Sequence, residues 1–171
     1  MKTGLFIFIG IVLGYIVKRV VNWLAIDKFM MSRKNFFLEA VGAVLVTWSA
    51  VNLGIEEAII FSIIALTLAG ISVIDFHTFE IPLIFIIIGV VASIAGILLK
   101  VILLSSAFWG IFVGALIPMA IMLILWSITK RQGMGYGDIQ LGIILGAWLG
   151  PMRMALTLFG ASLLSLLAWL G

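Results

Sequence analysis

Apolar residues in this chain come in long, nearly unbroken runs, and short polar breaks between them mark where one element ends and the next begins. The first run extends from Gly4 to about Trp23 and carries Lys18 and Arg19, whose long stems are expected to reach toward an interface. A polar stretch, Asp27 to Asn35, follows with Lys28, Arg33 and Lys34. The second run spans Phe36 to Leu53 and stops at Gly54, Glu56 and Glu57; the third spans Ala58 to Ile74. Apolar character then breaks at Asp75-Phe76-His77-Thr78-Phe79-Glu80, and Pro82 is placed to restart a helix in its first turn. A fourth run covers Ile81 to Leu104, and a fifth, Ala107 to Ile128, is stopped by Lys130 and Arg131. After a glycine-rich break come Ile139 to Leu149 and Met154 to Leu170, separated by Gly150 and Pro151, which makes seven candidate helices.

Composition turns these helices into membrane helices. With 65% hydrophobic and 10% charged residues in 171, the chain is far more apolar than a soluble domain. The expected fold is all-α, a polytopic membrane helix bundle of about seven helices forming a single domain over residues 1–171. The first run reads as a retained helix, because its basic residues follow the apolar stretch and no small-residue cleavage site comes after it. Cysteine is absent, which excludes disulfides, thiolate catalysis and a cysteine zinc site. No metal or cofactor is expected, and the lone His77 is assigned no role. A net charge of +3, with no basic run interleaved by aromatics, leaves no footprint for nucleic acid. The bilayer is the expected partner, with Trp residues suited to its interfaces.

The positive residues orient the bundle. If the loop after the first helix is cytoplasmic, that side collects Lys18, Arg19, Lys28, Arg33, Lys34, Lys130 and Arg131, leaving Lys2, Lys100 and Arg153 opposite. This puts the N-terminus outside and the breaks at Asp75 and Asp138 on the cytoplasmic face. Two crossings separate those acids in the chain, so both are expected at one face whichever orientation holds.

The break with the most chemistry is Gln132-Gly133-Met134-Gly135-Tyr136-Gly137-Asp138-Ile139-Gln140-Leu141. Gly133, Gly135 and Gly137 could take positive φ and let another backbone approach, while Asp138 stands where the positive end of a helix favours an anion. The plainer reading of the glycines is a flexible turn. Two carboxylates at one face suit a peptidase pair, in which one takes a proton from water and its protonated partner polarises the scissile carbonyl. Against this stand solvated, idle acids, as Glu56 and Glu57 are expected to be, and a proton or cation pathway.

The segment from Thr129 through Asp138 to Leu141, continued by Leu145-Gly146-Ala147-Trp148-Leu149-Gly150, resembles the GxGD signature of the type IV prepilin peptidases. Ile74-Asp75 followed by Ile81-Pro82 resembles that family's first aspartate motif. Weaker likenesses lie in Gly10 to Gly14 through Arg19 and in Leu38-Glu39 with Gly42. The resemblance implies an intramembrane aspartic endopeptidase of the inner (plasma) membrane that cuts the short basic leader from prepilins or pseudopilins at the cytoplasmic face. It makes Asp75 and Asp138 the catalytic pair, and places Gly133, Gly135, Tyr136, Gly137, Glu80 and Pro82 in substrate-binding loops. Many members also carry a cysteine-rich insertion and methylate the product; the absence of cysteine here argues against methyltransferase activity. Gln132, Gln140 and Leu83 depart from the family pattern and bear on substrate preference. A proton- or cation-coupled transporter using the two aspartates is the alternative.

Overall fold

The computed structural model describes residues 2–25, 29–32, 34–130 and 135–170. Among these the chain is all-helical: α1 (Lys2–Leu24), α2 (Phe37–Asn52), α3 (Ile55–Thr78), α4 (Leu83–Leu98), α5 (Leu104–Thr129) and α6 (Tyr136–Leu170). Four of the six, α1, α3, α5 and α6, are long and apolar enough to cross a membrane. The last helix is two in one. Gly150 takes φ 73° and ψ 176° inside it, immediately before Pro151, so the expected separation of two apolar runs survives as a kink. Only glycine suits that backbone, and a Cβ there would also overlap the Ser106 hydroxyl.

Two boundaries differ from the hydrophobic pattern. Helix α3 begins at Ile55 and ends at Thr78, taking in Glu56 and Glu57 at its start and Asp75 at its end. Acids in a first turn complement the helix dipole, so a polar break in hydropathy need not be a break in the helix. Conversely, the run expected to continue from Ile81 to Leu104 is cut by a turn after Leu98, with Lys100 at φ 59°. Apart from Lys100 the turn is apolar, with Leu99, Val101, Ile102 and Leu103, and this hides it in the hydropathy pattern.

The chain divides into two compact units, Met1–Val101 and Ile102–Gly171. In the first, α1 and α2 pack backbone to backbone: a Cβ at Gly10 or Gly42 would overlap the other's carbonyl oxygen, and one at Gly14 that of Leu38. This close approach buries Lys18 and Glu39 against each other, with Nζ to Oε1 at 2.9 Å and relative exposures of 4% and 6%. Lys18 therefore does not extend to an interface as the sequence suggested. It lies more than a turn inside α1, and also donates to the Asn35 carbonyl. The loop is further tied to α1 by Asn22, whose Oδ1 accepts from the Met31 N–H at 2.8 Å and whose amide donates to the Met31 carbonyl at 3.3 Å. Buried Ser49 and Ser62 hydrogen-bond at 3.0 Å and join α2 to α3. An apolar cleft of about 460 Å³ opens beside them, and its lining includes none of the candidate site residues.

The second unit is a single antiparallel pair. Gly110 and Gly114 on α5 face Gly146 and Gly142 on α6 so closely that a Cβ at any of the four would overlap the facing carbonyl oxygen. Asp138 stands one turn before Gly142 on α6, so the seam that joins the helices also fixes its height.

Candidate active site

Helix α6 begins at Tyr136, which makes Gly135 the residue that opens it and Asp138 its third. The two are bonded reciprocally. The Asp138 N–H donates to the Gly135 carbonyl at 3.2 Å, and the Gly135 N–H donates to Asp138 Oδ2 at 3.3 Å. This is the return half of a capping box, in which an acid at the third position reaches back to the residue before the helix. It draws the carboxylate to the helix mouth, at the positive end of the helix dipole, where the side chain is exposed.

The glycines serve this differently from the expectation. Neither Gly135 nor Gly137 has positive φ; among the described glycines that conformation belongs to Gly150. The reason is that the helix starts early and takes Gly137 into its first turn. A Cβ at Gly135 would rest 3.6 Å from Asp138 Oδ2, an ordinary contact. Gly133 and Gln132 lie outside the described residues.

Asp75 occupies the opposite kind of position. It is in the last turn of α3, exposed, with its carbonyl accepting the Phe79 N–H at 2.9 Å. Phe79 closes the helix in the left-handed region, φ 54° and ψ 33°, where a residue with a Cβ is strained by about 1–2 kcal/mol. That conformation turns the chain sharply, so exposed Glu80 and then Pro82 follow within one tight connection. Pro82 is the residue before α4 rather than its first, and its carbonyl accepts from Phe85 at 3.1 Å and Ile86 at 3.4 Å. His77 has a structural job. Its Nδ1 donates to the Val73 carbonyl at 2.9 Å and its ring stacks on Phe29 at 4.1 Å between centroids, which ties the loop after α1 to the end of α3.

The first unit thus holds Asp75 in the last turn of α3 with Glu80 and Pro82 on the connection to α4, and the second gathers Gly135, Tyr136, Gly137 and Asp138 at the start of α6. Among the described residues no cluster of His, Asp and Glu could hold a metal ion. Two features escaped the sequence reading. The Lys18–Glu39 pair was signalled by opposite charges inside two consecutive apolar runs, since an ion in such a run needs a partner. The other is the wall formed by Trp126 and Lys130, whose Nζ lies 5.3 Å from the indole centroid; nothing in the sequence distinguishes that pair from interfacial anchors.

Comparison with known proteins bears on both acids together. The type IV leader peptidase family matches residues 59–170, a stretch that contains Asp75, Asp138 and everything between them. The chain belongs to the type IV leader peptidase family. A prepilin leader peptidase/N-methyltransferase of Dichelobacter nodosus is 32% identical over 83 residues, covering 48% of this chain and 28% of that protein. Another bearing the same name, from Stutzerimonas stutzeri, is 39% identical over 59 residues, covering 34% of this chain and 20% of its own length. The chain therefore spans less than a third of either relative. No solved structure matches it.

Proposed function

We propose that this chain is a membrane-embedded aspartic endopeptidase that removes the basic leader from prepilins or prepilin-like proteins, with Asp75 and Asp138 as its catalytic pair. What carries the reading is Asp138 itself. An exposed acid held by Gly135 at the mouth of an apolar helix falls inside a family match that also contains Asp75. We read α5 and the shorter apolar α4, 16 residues long, as two crossings between the acids, which sets both carboxylates at one membrane face. We place that face at the cytoplasmic side of the plasma membrane, from the distribution of Lys and Arg. Both units then contribute to one functional domain over residues 1–171. Both acids stand at helix ends, where an ion pathway would more naturally hold them within the spans.

The chemistry needs two carboxylates in different protonation states. The ionised one takes a proton from water as the oxygen attacks the scissile carbonyl, and the protonated one gives its proton to the carbonyl oxygen. Collapse of the tetrahedral species breaks the C–N bond, and the proton taken from water goes to the leaving amine. Glu80, on the connection that follows Asp75, adds negative charge for a basic leader, while the apolar segment of the substrate approaches from the bilayer.

Asp75→Asn and Asp138→Asn test this directly. Each is expected to insert and purify yet lose cleavage of a prepilin-like substrate by about 10²–10⁴-fold, the usual contribution of general acid–base catalysis. Cleavage near the wild-type rate in either variant would refute the pair. Without cysteine, the enzyme is also expected to leave an unmethylated N-terminus; mass spectrometry of product formed with S-adenosylmethionine present checks it, and a gain of one methyl group overturns it.

A further inference from the structure

We propose that His77 and Phe29 are positioning residues for Asp75, and that the stack of their rings makes the α1–α2 connection a strap that holds the last turn of α3 in its catalytic geometry. The proposal rests on the peptidase reading above. Asp75 stands in the final turn of its helix, where carbonyls run out of intrahelical donors and the backbone frays. Burial along α3 stops at Ile74: Asp75, Phe76 and His77 are all exposed, so core packing does not hold that turn. A misplacement of about 1 Å can cost about 10²-fold in rate, so fraying there damages catalysis even where the fold survives.

The strap supplies that hold from outside the helix. The Phe29 ring lies flat on His77, 4.1 Å between centroids and 9° from parallel, while the His77 and Phe76 rings meet edge to face at 5.4 Å. His77 Nδ1 donates to the carbonyl of buried Val73 at 2.9 Å, so the ring that Phe29 covers is also fixed to the packed part of α3. On its other side the strap is tied to α1. The Phe29 N–H donates to the carbonyl of buried Ala25 at 2.9 Å, and Asn22 clasps the Met31 backbone through both its amide atoms. Phe29 thereby stands between a helix locked in the glycine seam and the turn that carries Asp75. A connection that only had to join α1 to α2 would need no contact with α3; this one reaches a third helix, and reaches it two residues from the acid.

The test measures kcat and KM on a prepilin-like substrate, with thermal unfolding in detergent, for wild type, Asp75→Asn, Phe29→Ala, His77→Ala, the double variant of the last two, His77→Phe and Met30→Ala. Phe29→Ala and His77→Ala are each expected to lower kcat per folded molecule by about 10–10²-fold while KM stays within about twofold. The double variant should be no slower than the slower single one, because both act through one contact. His77→Phe keeps a ring face for Phe29 and should recover most of the lost kcat. Met30, on the strap but 67% exposed and outside the stack, should tolerate alanine at the wild-type rate. Variants that unfold more readily yet keep wild-type kcat per folded molecule would make the stack a structural tie only and overturn the proposal. Additive losses in the double variant, no rescue by His77→Phe, or an equal loss from Met30→Ala would overturn it as well. A loss in Asp75→Asn beside wild-type rates in both stack variants refutes the positioning role alone. A wild type that cuts nothing, or an Asp75→Asn that cuts as fast as wild type, overturns the peptidase reading and the positioning role with it.

Discussion

The two units are built on the same device and use it to opposite ends. Each contains a helix pair joined through glycines, α1 with α2 and α5 with α6, where carbonyl oxygens occupy the space a Cβ would fill. In the first unit the candidate acid is elsewhere: Asp75 rides on α3, which is joined to α2 by the Ser49–Ser62 contact, and the glycine seam instead encloses Lys18 and Glu39. In the second unit Asp138 is on the seam helix itself, one turn from Gly142. The first seam is therefore a matter of stability and the second a matter of position as well. The same substitution should have different consequences in the two.

The largest effect is expected where the first seam holds its charges. Lys18→Met leaves Glu39 buried without its cation, a loss of about 3–5 kcal/mol by analogy with broken buried pairs. Thermal unfolding in detergent should show a sharp drop, and Lys18→Met with Glu39→Met together should recover most of it. A single variant as stable as wild type would mean the pair contributes nothing to the first unit.

Next comes the comparison of Gly42→Ala with Gly142→Ala. Each adds a methyl group against a carbonyl, and each should cost about 1–3 kcal/mol as the helices are forced apart. Only Gly142→Ala should also lower kcat of the protein that remains folded, because it displaces Asp138. Equal losses of kcat per folded molecule would erase the distinction between the seams.

Smaller effects sharpen the picture at the mouth of α6. Gly137→Ala, in the first helical turn and away from positive φ, should leave thermal stability unchanged and slow cleavage about tenfold, a barrier change near 1.4 kcal/mol, by crowding the approach to Asp138. Wild-type cleavage would show that the glycine serves only the turn. Gly135→Ala meets only an ordinary contact with Asp138 Oδ2, so unfolding should shift by less than about 0.5 kcal/mol, as at an ordinary surface site.

The sequence by itself determined that the chain is helical and apolar enough for a bilayer, because run length and composition respond to the solvent and not to the partner helix. It also marked the break at Gly150-Pro151, since a glycine followed by a proline acts locally. Other features depended on what each segment touches. The turn after Leu98 is apolar apart from Lys100, and the extension of α3 through Asp75 to Thr78 is polar apart from Phe76, so hydropathy misplaced both. The burial of Lys18 came from the α1–α2 approach, since a long stem can reach outward or inward and only a carboxylate on the neighbouring helix decides which. At Asp138 the sequence supplied the acid and the glycines. The tertiary structure supplied the reciprocal bonds with Gly135 and the seam at Gly142 that hold the acid at a set height, because position is a property of packed helices and not of a motif.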